Sequence, residues 1–128
     1  MASNSYERVA QFHTVFGHPI SDKPEDIAPE RQQLRVELIR EELEEFKDAV
    51  EAGDIVAIAD ALGDLEYVVN GAALEYGIDL PAVVAEIHRS NMTKLGPDGK
   101  PIYREDGKIL KGEDYEPPNL EKVLWPTG

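Results

Sequence analysis

A length of 128 residues with 41% apolar residues predicts one domain with a modest hydrophobic core. The 26 acidic residues outnumber the 13 basic ones, and the resulting net charge of −13 disfavours nucleic acid and anionic membranes as partners. The sequence contains no cysteine, which excludes disulfides and thiolate metal sites. Because the first residues lack a signal-peptide core and no stretch approaches roughly 18 apolar residues, we expect a cytoplasmic protein.

Two helices are predicted in the first half of the chain. The first covers residues 6–16, where apolar residues recur at helical spacing, and a loop rich in glycine and proline follows it. The second covers residues 29–51 and starts at a proline, which is tolerated in a first turn. Its apolar stripe has alternating steps of three and four residues and consists of Val36, Ile39, Leu43, Phe46 and Val50.

The next two helices follow a short link. Gly53 ends the second helix, and Asp54 is a suitable N-cap for a third helix over residues 55–76. This third helix is apolar nearly all round, a pattern typical of a central, buried helix. A fourth helix is predicted over residues 79–92.

The chain changes character after residue 95. Residues 101–110 are typical of a β-hairpin around the turn Asp106-Gly107, and the proline-rich end predicts an extended arm. We therefore predict an all-α bundle of four to five helices with a C-terminal β-hairpin or extended arm. The predicted single domain covers residues 1–128, with a helical core over 1–95 and the hairpin and tail over 96–128.

Acidic residues on the second and third helices carry the main chemical signal. Glu42 and Glu45 fall in one row that has apolar residues at both ends, and Asp60 and Asp64 share a face of the most apolar helix. Unpaired ionised carboxylates are very unfavourable there, and the third helix has no lysine or arginine to neutralise them. Antiparallel packing across the short link brings both pairs to similar heights. Four hard oxygen ligands together suit Mg²⁺ or Mn²⁺.

A simpler interpretation applies to the glutamates alone. A run such as residues 41–45 is more often a solvated helix face than a binding site. The aspartates on the apolar third helix shift the balance towards a metal site, because burial without a cation is so unfavourable.

Basic residues concentrate at the other end of the chain. Seven of the 13 follow residue 88, and Lys94, Lys108 and Lys111 are candidates to bind phosphate groups beside a carboxylate–metal cluster. The alternatives are a helix C-terminal role for Lys94 and simple solvation for the hairpin lysines.

These motifs resemble the all-α NTP pyrophosphohydrolase superfamily, which includes MazG, phosphoribosyl-ATP pyrophosphohydrolase and the dimeric dUTPases. Residues 42–45 look like its ExxE motif, and residues 61–64 look like its second acidic motif. Residues 60–69 and 88–94 are most similar to small MazG-like proteins of bacteria and phages, some with dUTPase activity, and the resemblance spans about residues 5–115. One position departs: Ala61 stands where many relatives have glutamate, and Asp60 precedes it.

The resemblance implies a Mg²⁺-dependent hydrolase that splits a nucleoside triphosphate into the monophosphate and pyrophosphate, with dUTP or another dNTP favoured. Glu42, Glu45 and Asp64 become the expected metal ligands, with Asp60 assisting, and Glu41 becomes the candidate general base. Residues expected to contact the nucleotide are Asn91, Lys94, Lys108, Lys111, Gln11 and His13. Asn91 has helix C-capping as its alternative role, and structural roles are preferred for the histidines.

Three other functions compete with this interpretation, and the sequence excludes the third. The first is phosphoribosyl-ATP pyrophosphohydrolase itself, and the second is a non-enzymatic, metal-stabilised helical interaction module. The third, a di-iron bundle, requires Glu-x-x-His pairs that this sequence lacks. We further expect a homodimer or dimer of dimers in which each site draws residues from two chains.

Overall fold

The computed structural model describes residues 4–126. The helices, in chain order, are α1 (Ser5–Phe16), α2 (Pro29–Ala52), α3 (Ile55–Tyr76), α4 (Leu80–Asn91) and α5 (Leu120–Leu124). Two short strands, β1 (Ile102–Tyr103) and β2 (Ile109–Leu110), pair antiparallel between α4 and α5. The predicted all-α class with a small C-terminal hairpin is confirmed.

The chain divides after Leu80 into two compact units. In the first, α1 and α2 both pack against α3. Its buried apolar side chains are Val9, Ala49, Ala61, Ala73 and Leu74. These are mostly small residues, so helix axes can approach closely and polar side chains between helices meet at short range.

The α2–α3 link forms as its sequence predicts. Gly53 adopts the left-handed conformation with φ 67°, and its N–H donates to the carbonyls of Ala49 and Val50. Asp54 caps α3 by accepting hydrogen bonds from the amides of Val56 and Ala57. The two helices are therefore antiparallel neighbours joined by a tight turn.

The expectation that α3 is a central, buried helix does not hold for its first residues in the single chain. Ile55 and Val56 are 74% and 76% exposed. Buried residues of α3 concentrate instead towards its end, where Leu74 and Tyr76 also accept backbone hydrogen bonds from the loop that follows α1. An apolar composition thus shows that a helix surface can be buried. In the single chain, only part of the apolar surface of α3 is buried.

The apolar stripe of α2 is likewise only partly covered. Ile39 and Phe46 are half-buried, but Val36, Leu43 and Val50 are 56%, 52% and 52% exposed. The exposed members recur every seven residues, so they form one continuous line along the helix.

The second unit contains α4, the hairpin and α5. The hairpin pairs Ile102 with Leu110 and Tyr103 with Ile109, and Gly107 in its turn has φ 88°. The segment after the hairpin is held on α4, because the buried Ser90 hydroxyl donates to the Glu116 carbonyl at 2.7 Å.

The predicted extended arm at the C-terminus is wrong in one respect. Residues 120–124 form a short helix whose N-cap, Asn119, accepts a hydrogen bond from the Lys122 amide at 3.1 Å. The Asn119 amide in turn donates to Glu86 on α4 at 2.8 Å. The prolines on either side of this segment suggested an extended chain. Prolines outside a helix do not prevent a short helix from forming between them. Within residues 4–126, no single helix is both long and apolar enough to cross a membrane.

Candidate functional site

The antiparallel pairing of α2 and α3 brings three carboxylates together. Glu42 and Asp64 lie 11 residues before and 11 residues after Gly53, so they face each other across the helix pair. Ligand oxygens of Glu42, Glu45 and Asp64 all lie within 4.8 Å of one another. This cluster, called here the acidic cluster, contains three of the four predicted metal ligands.

The acidic cluster is electrostatically unfavourable without a cation. Burial raises the pKa of Glu42 to about 6, with further contributions from a hydrogen bond shared with Glu45 and from the charges of Glu45, Asp64 and Asp60. The pKa of Asp64 is also raised, first by burial and then by the charges of Asp60 and Glu45. These acids therefore resist full ionisation as long as nothing neutralises them.

One atom of the cluster points most directly to a missing partner. Glu42 Oε2 is buried and has no hydrogen-bond partner among the described residues. Among the ion pairs within residues 4–126, none joins a lysine or arginine to the acidic cluster. Buried carboxylate oxygens are almost always paired, and several of them together suit a hard divalent cation. The residues present therefore fit Mg²⁺ or Mn²⁺.

The remaining predicted residues of α2 and α3 lie beside the cluster. Asp60 is exposed and is not among the three carboxylates that meet, yet its charge acts on both Glu42 and Asp64. Glu41, the candidate base, is exposed next to Glu42. Their proposed roles are compatible with these positions and remain predictions.

The two candidate residues of α1 have different surroundings. Gln11 is exposed and lines a cavity of about 320 Å³ together with Arg8, Phe12, Val15, Phe16 and Tyr67. His13 is only 2% exposed, and its Nδ1 donates to the Pro19 carbonyl at 2.9 Å. Burial lowers the pKa of His13, although the bond to Pro19 opposes this. These contacts favour a structural role for His13, whereas Gln11 is accessible to a ligand.

The other four candidate residues belong to the second unit. Asn91 is the exposed last residue of α4, and its carbonyl accepts a hydrogen bond from the half-buried Lys94 amide at 3.1 Å. Lys108 lies at the hairpin turn, where its amide donates to Asp106 at 3.1 Å. The Lys111 ammonium stands 4.9 Å from the centre of the Tyr115 ring.

A second group of charged residues joins α2 and α3, and the sequence analysis did not predict it. This group, called here the Glu75 network, consists of Arg31, Arg35 and Glu75. Glu75 of α3 is 2% exposed and accepts hydrogen bonds from Arg31 Nε at 2.6 Å, Arg31 Nη2 at 3.0 Å and Arg35 Nε at 2.7 Å. A glutamate on the most apolar helix was the available signal. The sequence also indicates Arg31 as the partner of Glu75, since both residues lie 22 residues from Gly53.

Comparisons with known proteins agree with this architecture. A candidate NTP pyrophosphohydrolase from Exiguobacterium sp. 255-15 has a crystal structure that superimposes with a TM-score of 0.50 at 28% identity, covering 94% of this chain and 92% of that one. An uncharacterised protein of Acanthamoeba polyphaga mimivirus is 32% identical over 121 residues, covering 89% of this chain and 46% of the viral protein. This chain thus spans about half the length of that curated relative.

These likenesses define the class as the MazG-like all-α NTP pyrophosphohydrolase superfamily, a group of hydrolases, and they confirm the resemblance seen in the sequence. Within it, residues 9–91 match the phosphoribosyl-ATP pyrophosphohydrolase family, and the chain belongs to that family. The matched range includes the whole acidic cluster and the Glu75 network.

Proposed function

We propose that this protein hydrolyses a nucleoside triphosphate to the monophosphate and pyrophosphate, with Mg²⁺ held by Glu42, Glu45 and Asp64 and assisted by Asp60. The observation that carries the proposal is a three-carboxylate cluster in which the buried Glu42 Oε2 has no hydrogen-bond partner among residues 4–126. Such an arrangement is unfavourable on its own and becomes favourable with a bound divalent cation. When bound, the cation neutralises phosphate charge and lowers the pKa of a coordinated water.

The protein's own residues supply the other parts of the reaction. Glu41 accepts the proton of the attacking water, because it adjoins the ligands and is exposed to solvent. Lys94, with Lys108 and Lys111, binds phosphate oxygens as point charges. Asn91 and Gln11 offer amide groups to a base or sugar edge.

The substrate we favour is a deoxynucleoside triphosphate, with dUTP first. This choice rests on the likeness of residues 60–69 and 88–94 to small MazG-like proteins. Phosphoribosyl-ATP is the second candidate, and the family match over residues 9–91 is the observation that favours it. Release of pyrophosphate, measured with Mg²⁺ across phosphoribosyl-ATP and all common NTPs and dNTPs, distinguishes the two. No release from any of them overturns the proposal.

We also propose that the protein works as a homodimer at least, whose sites draw on both chains. Val36, Leu43 and Val50 form a line of half-exposed apolar side chains at seven-residue spacing on α2. That spacing is the one by which a helix packs along a second helix, so a second copy of the chain is the proposed occupant. Ile55 and Val56, exposed at the start of α3, extend the apolar surface that such a partner covers.

A further inference from the structure

The Glu75 network joins α2 to α3 through buried, charge-assisted hydrogen bonds. Arg31 holds Glu75 with two nitrogens, and Arg35 adds a third hydrogen bond from a guanidinium side chain that is 6% exposed. Burial alone raises the pKa of Glu75, but the hydrogen bonds and charges of the two arginines outweigh it and lower the pKa. Both carboxylate oxygens of Glu75 are therefore hydrogen-bonded to arginine, and the charge of Glu75 is paired within the described part of the chain.

The network and the acidic cluster share one helix register. Arg31 and Glu75 lie 22 residues on either side of Gly53, and Glu42 and Asp64 lie 11 residues on either side of it. Steps of 11 residues are close to three full turns, so each helix presents both of its members on the same face. A register that pairs Arg31 with Glu75 is thus the register that opposes Glu42 and Asp64.

The α2–α3 contact has like charges at the acidic cluster and paired opposite charges at the Glu75 network. At the acidic cluster, carboxylates from α2 and α3 repel each other, because the ligand oxygens of Glu42, Glu45 and Asp64 lie within 4.8 Å of one another. At the network, a desolvated and bidentate contact between opposite charges holds the helices together. Glu75 lies 11 residues beyond Asp64, roughly 16 Å along the helix, so its effect on a metal at the cluster acts through the helix pair.

We propose that Glu75, clamped by Arg31 and Arg35, is a positioning residue that fixes the α2–α3 register needed to bring Glu42 and Asp64 together for a divalent cation. This inference rests on the proposed metal site for its consequence in binding. The register that the network fixes does not depend on a bound metal.

Binding of Mn²⁺ alone, followed by electron paramagnetic resonance at low temperature, tests the consequence. Glu75→Gln keeps the size of the side chain and removes its charge, and Glu66→Gln does the same at an exposed position of α3. We expect Glu75→Gln to weaken Mn²⁺ binding about tenfold, the lower end of what loss of indirect support costs a metal site, because a loosened register moves Glu42 away from Asp64. Glu66→Gln should bind like the wild type. A helical, folded Glu75→Gln protein with wild-type affinity overturns the inference, whereas a wild type that binds no Mn²⁺ overturns the proposed function.

A milder variant covers the case in which Glu75→Gln does not fold. Arg31 is 34% exposed in its side chain, and Arg31→Lys keeps the charge while removing the two-nitrogen contact. Arg40→Lys, at an exposed arginine of the same helix, is its matched control. We expect weaker Mn²⁺ binding in Arg31→Lys alone, and equal binding in both variants counts against the clamp.

A distance measurement tests the register without any metal. The chain has no cysteine, so Gln33→Cys and Glu66→Cys, both at exposed positions, allow one nitroxide on α2 and one on α3. Mixing with excess unlabelled protein isolates the distance within one chain. Arg31→Lys or Glu75→Gln should broaden the distribution or shift it towards a neighbouring register, about 5 Å away for one helical turn. A distribution identical to that of the unsubstituted pair overturns the inference.

Discussion

Gly71 and Arg35 approach so closely that a Cβ atom at residue 71 would lie 2.7 Å from Arg35 Nη1. The same atom would lie 3.2 Å from His13 Nε2. Three elements therefore converge at Gly71: α1 through His13, α2 through Arg35, and α3 itself. The absence of a side chain at this position lets the arginine reach Glu75 in the next turn of the helix.

Gly71→Ala should destabilise the protein by about 1–3 kcal/mol, because the added methyl group forces buried neighbours to move. Gly63→Ala is the matched control on the same helix, since a Cβ there would meet no described atom within 4 Å beyond its chain neighbours and the adjacent helix backbone. Alanine is the better helix former, so this control should be neutral or stabilising by up to about 1 kcal/mol. Urea unfolding followed by circular dichroism measures both. Equal stability of the two variants contradicts the close packing at Gly71.

Asp64→Asn should abolish pyrophosphate release while the helical fold remains, because Asp64 is the only member of the acidic cluster that α3 provides. Asp48→Asn, at an exposed position of α2, removes the same charge outside the cluster and should leave turnover unchanged. Helical content by circular dichroism and pyrophosphate release are measured together. Full activity in Asp64→Asn would remove this residue from the site.

The stability of the metal-free protein should fall as pH rises from about 4.5 to about 6. The folded pKa of Glu42 is about 6 against an ordinary value of 4.5, so the folded state binds more protons in this window. Stability falls with pH wherever the folded state is the more protonated one. Thermal unfolding in EDTA at several pH values measures the slope, and Glu42→Gln should flatten it. Saturating Mg²⁺ should restore stability at pH 7, and a pH-independent melting temperature contradicts the burial of this carboxylate.

Much of the site could be predicted from the sequence, because α2 and α3 are adjacent in the chain and are joined by a tight turn. Gly53 and Asp54 fix the point about which the helices fold back, and the separation of each acid from that point then predicts which acids meet. The helix rows and this separation together selected Glu42, Glu45, Asp60 and Asp64, of which Asp60 is not among the three carboxylates that meet. Glu75 escaped the same reasoning because an isolated glutamate near a helix end is usually solvated, and only its burial reveals the arginines as partners.

The burial of individual residues was harder to predict from the sequence than the positions of the helices. Periodicity identified α2 and α3 almost to the residue, but it does not specify which apolar surface one chain covers. Val36 and Ile55 are apolar but exposed in the single chain. The sequence pattern does not predict whether such residues face a partner chain or solvent. The short α5 was missed because its stability depends on Asn119 and on the contact of that residue with Glu86, which no local pattern encodes.

Val36→Glu should weaken the proposed homodimer, because it places a charge within the proposed apolar helix contact. Gln33→Glu adds the same charge one turn earlier, on an exposed position outside the stripe, and should leave assembly intact. Light scattering at micromolar concentration measures the mass of each protein. A wild type that is monomeric at this concentration contradicts the homodimer, and loss of activity in parallel with dissociation supports shared sites.

Asn91 provides the most direct test of substrate choice. Its amide has donors and acceptors suited to one base edge, and it is exposed at the end of α4, where its side chain is accessible. A site that hydrogen-bonds one base rejects others because the mismatched polar groups are left unpaired, at about 1–3 kcal/mol for each lost pairing. Asn91→Ala should therefore reduce the ratio of kcat/KM between dUTP and its competitors more than it slows the best substrate. Met92→Ala, at the neighbouring exposed residue, should preserve the ratio. If the wild type shows equal kcat/KM for every nucleotide, the pocket recognises only phosphate and metal, and Asn91 has no role in reading the base.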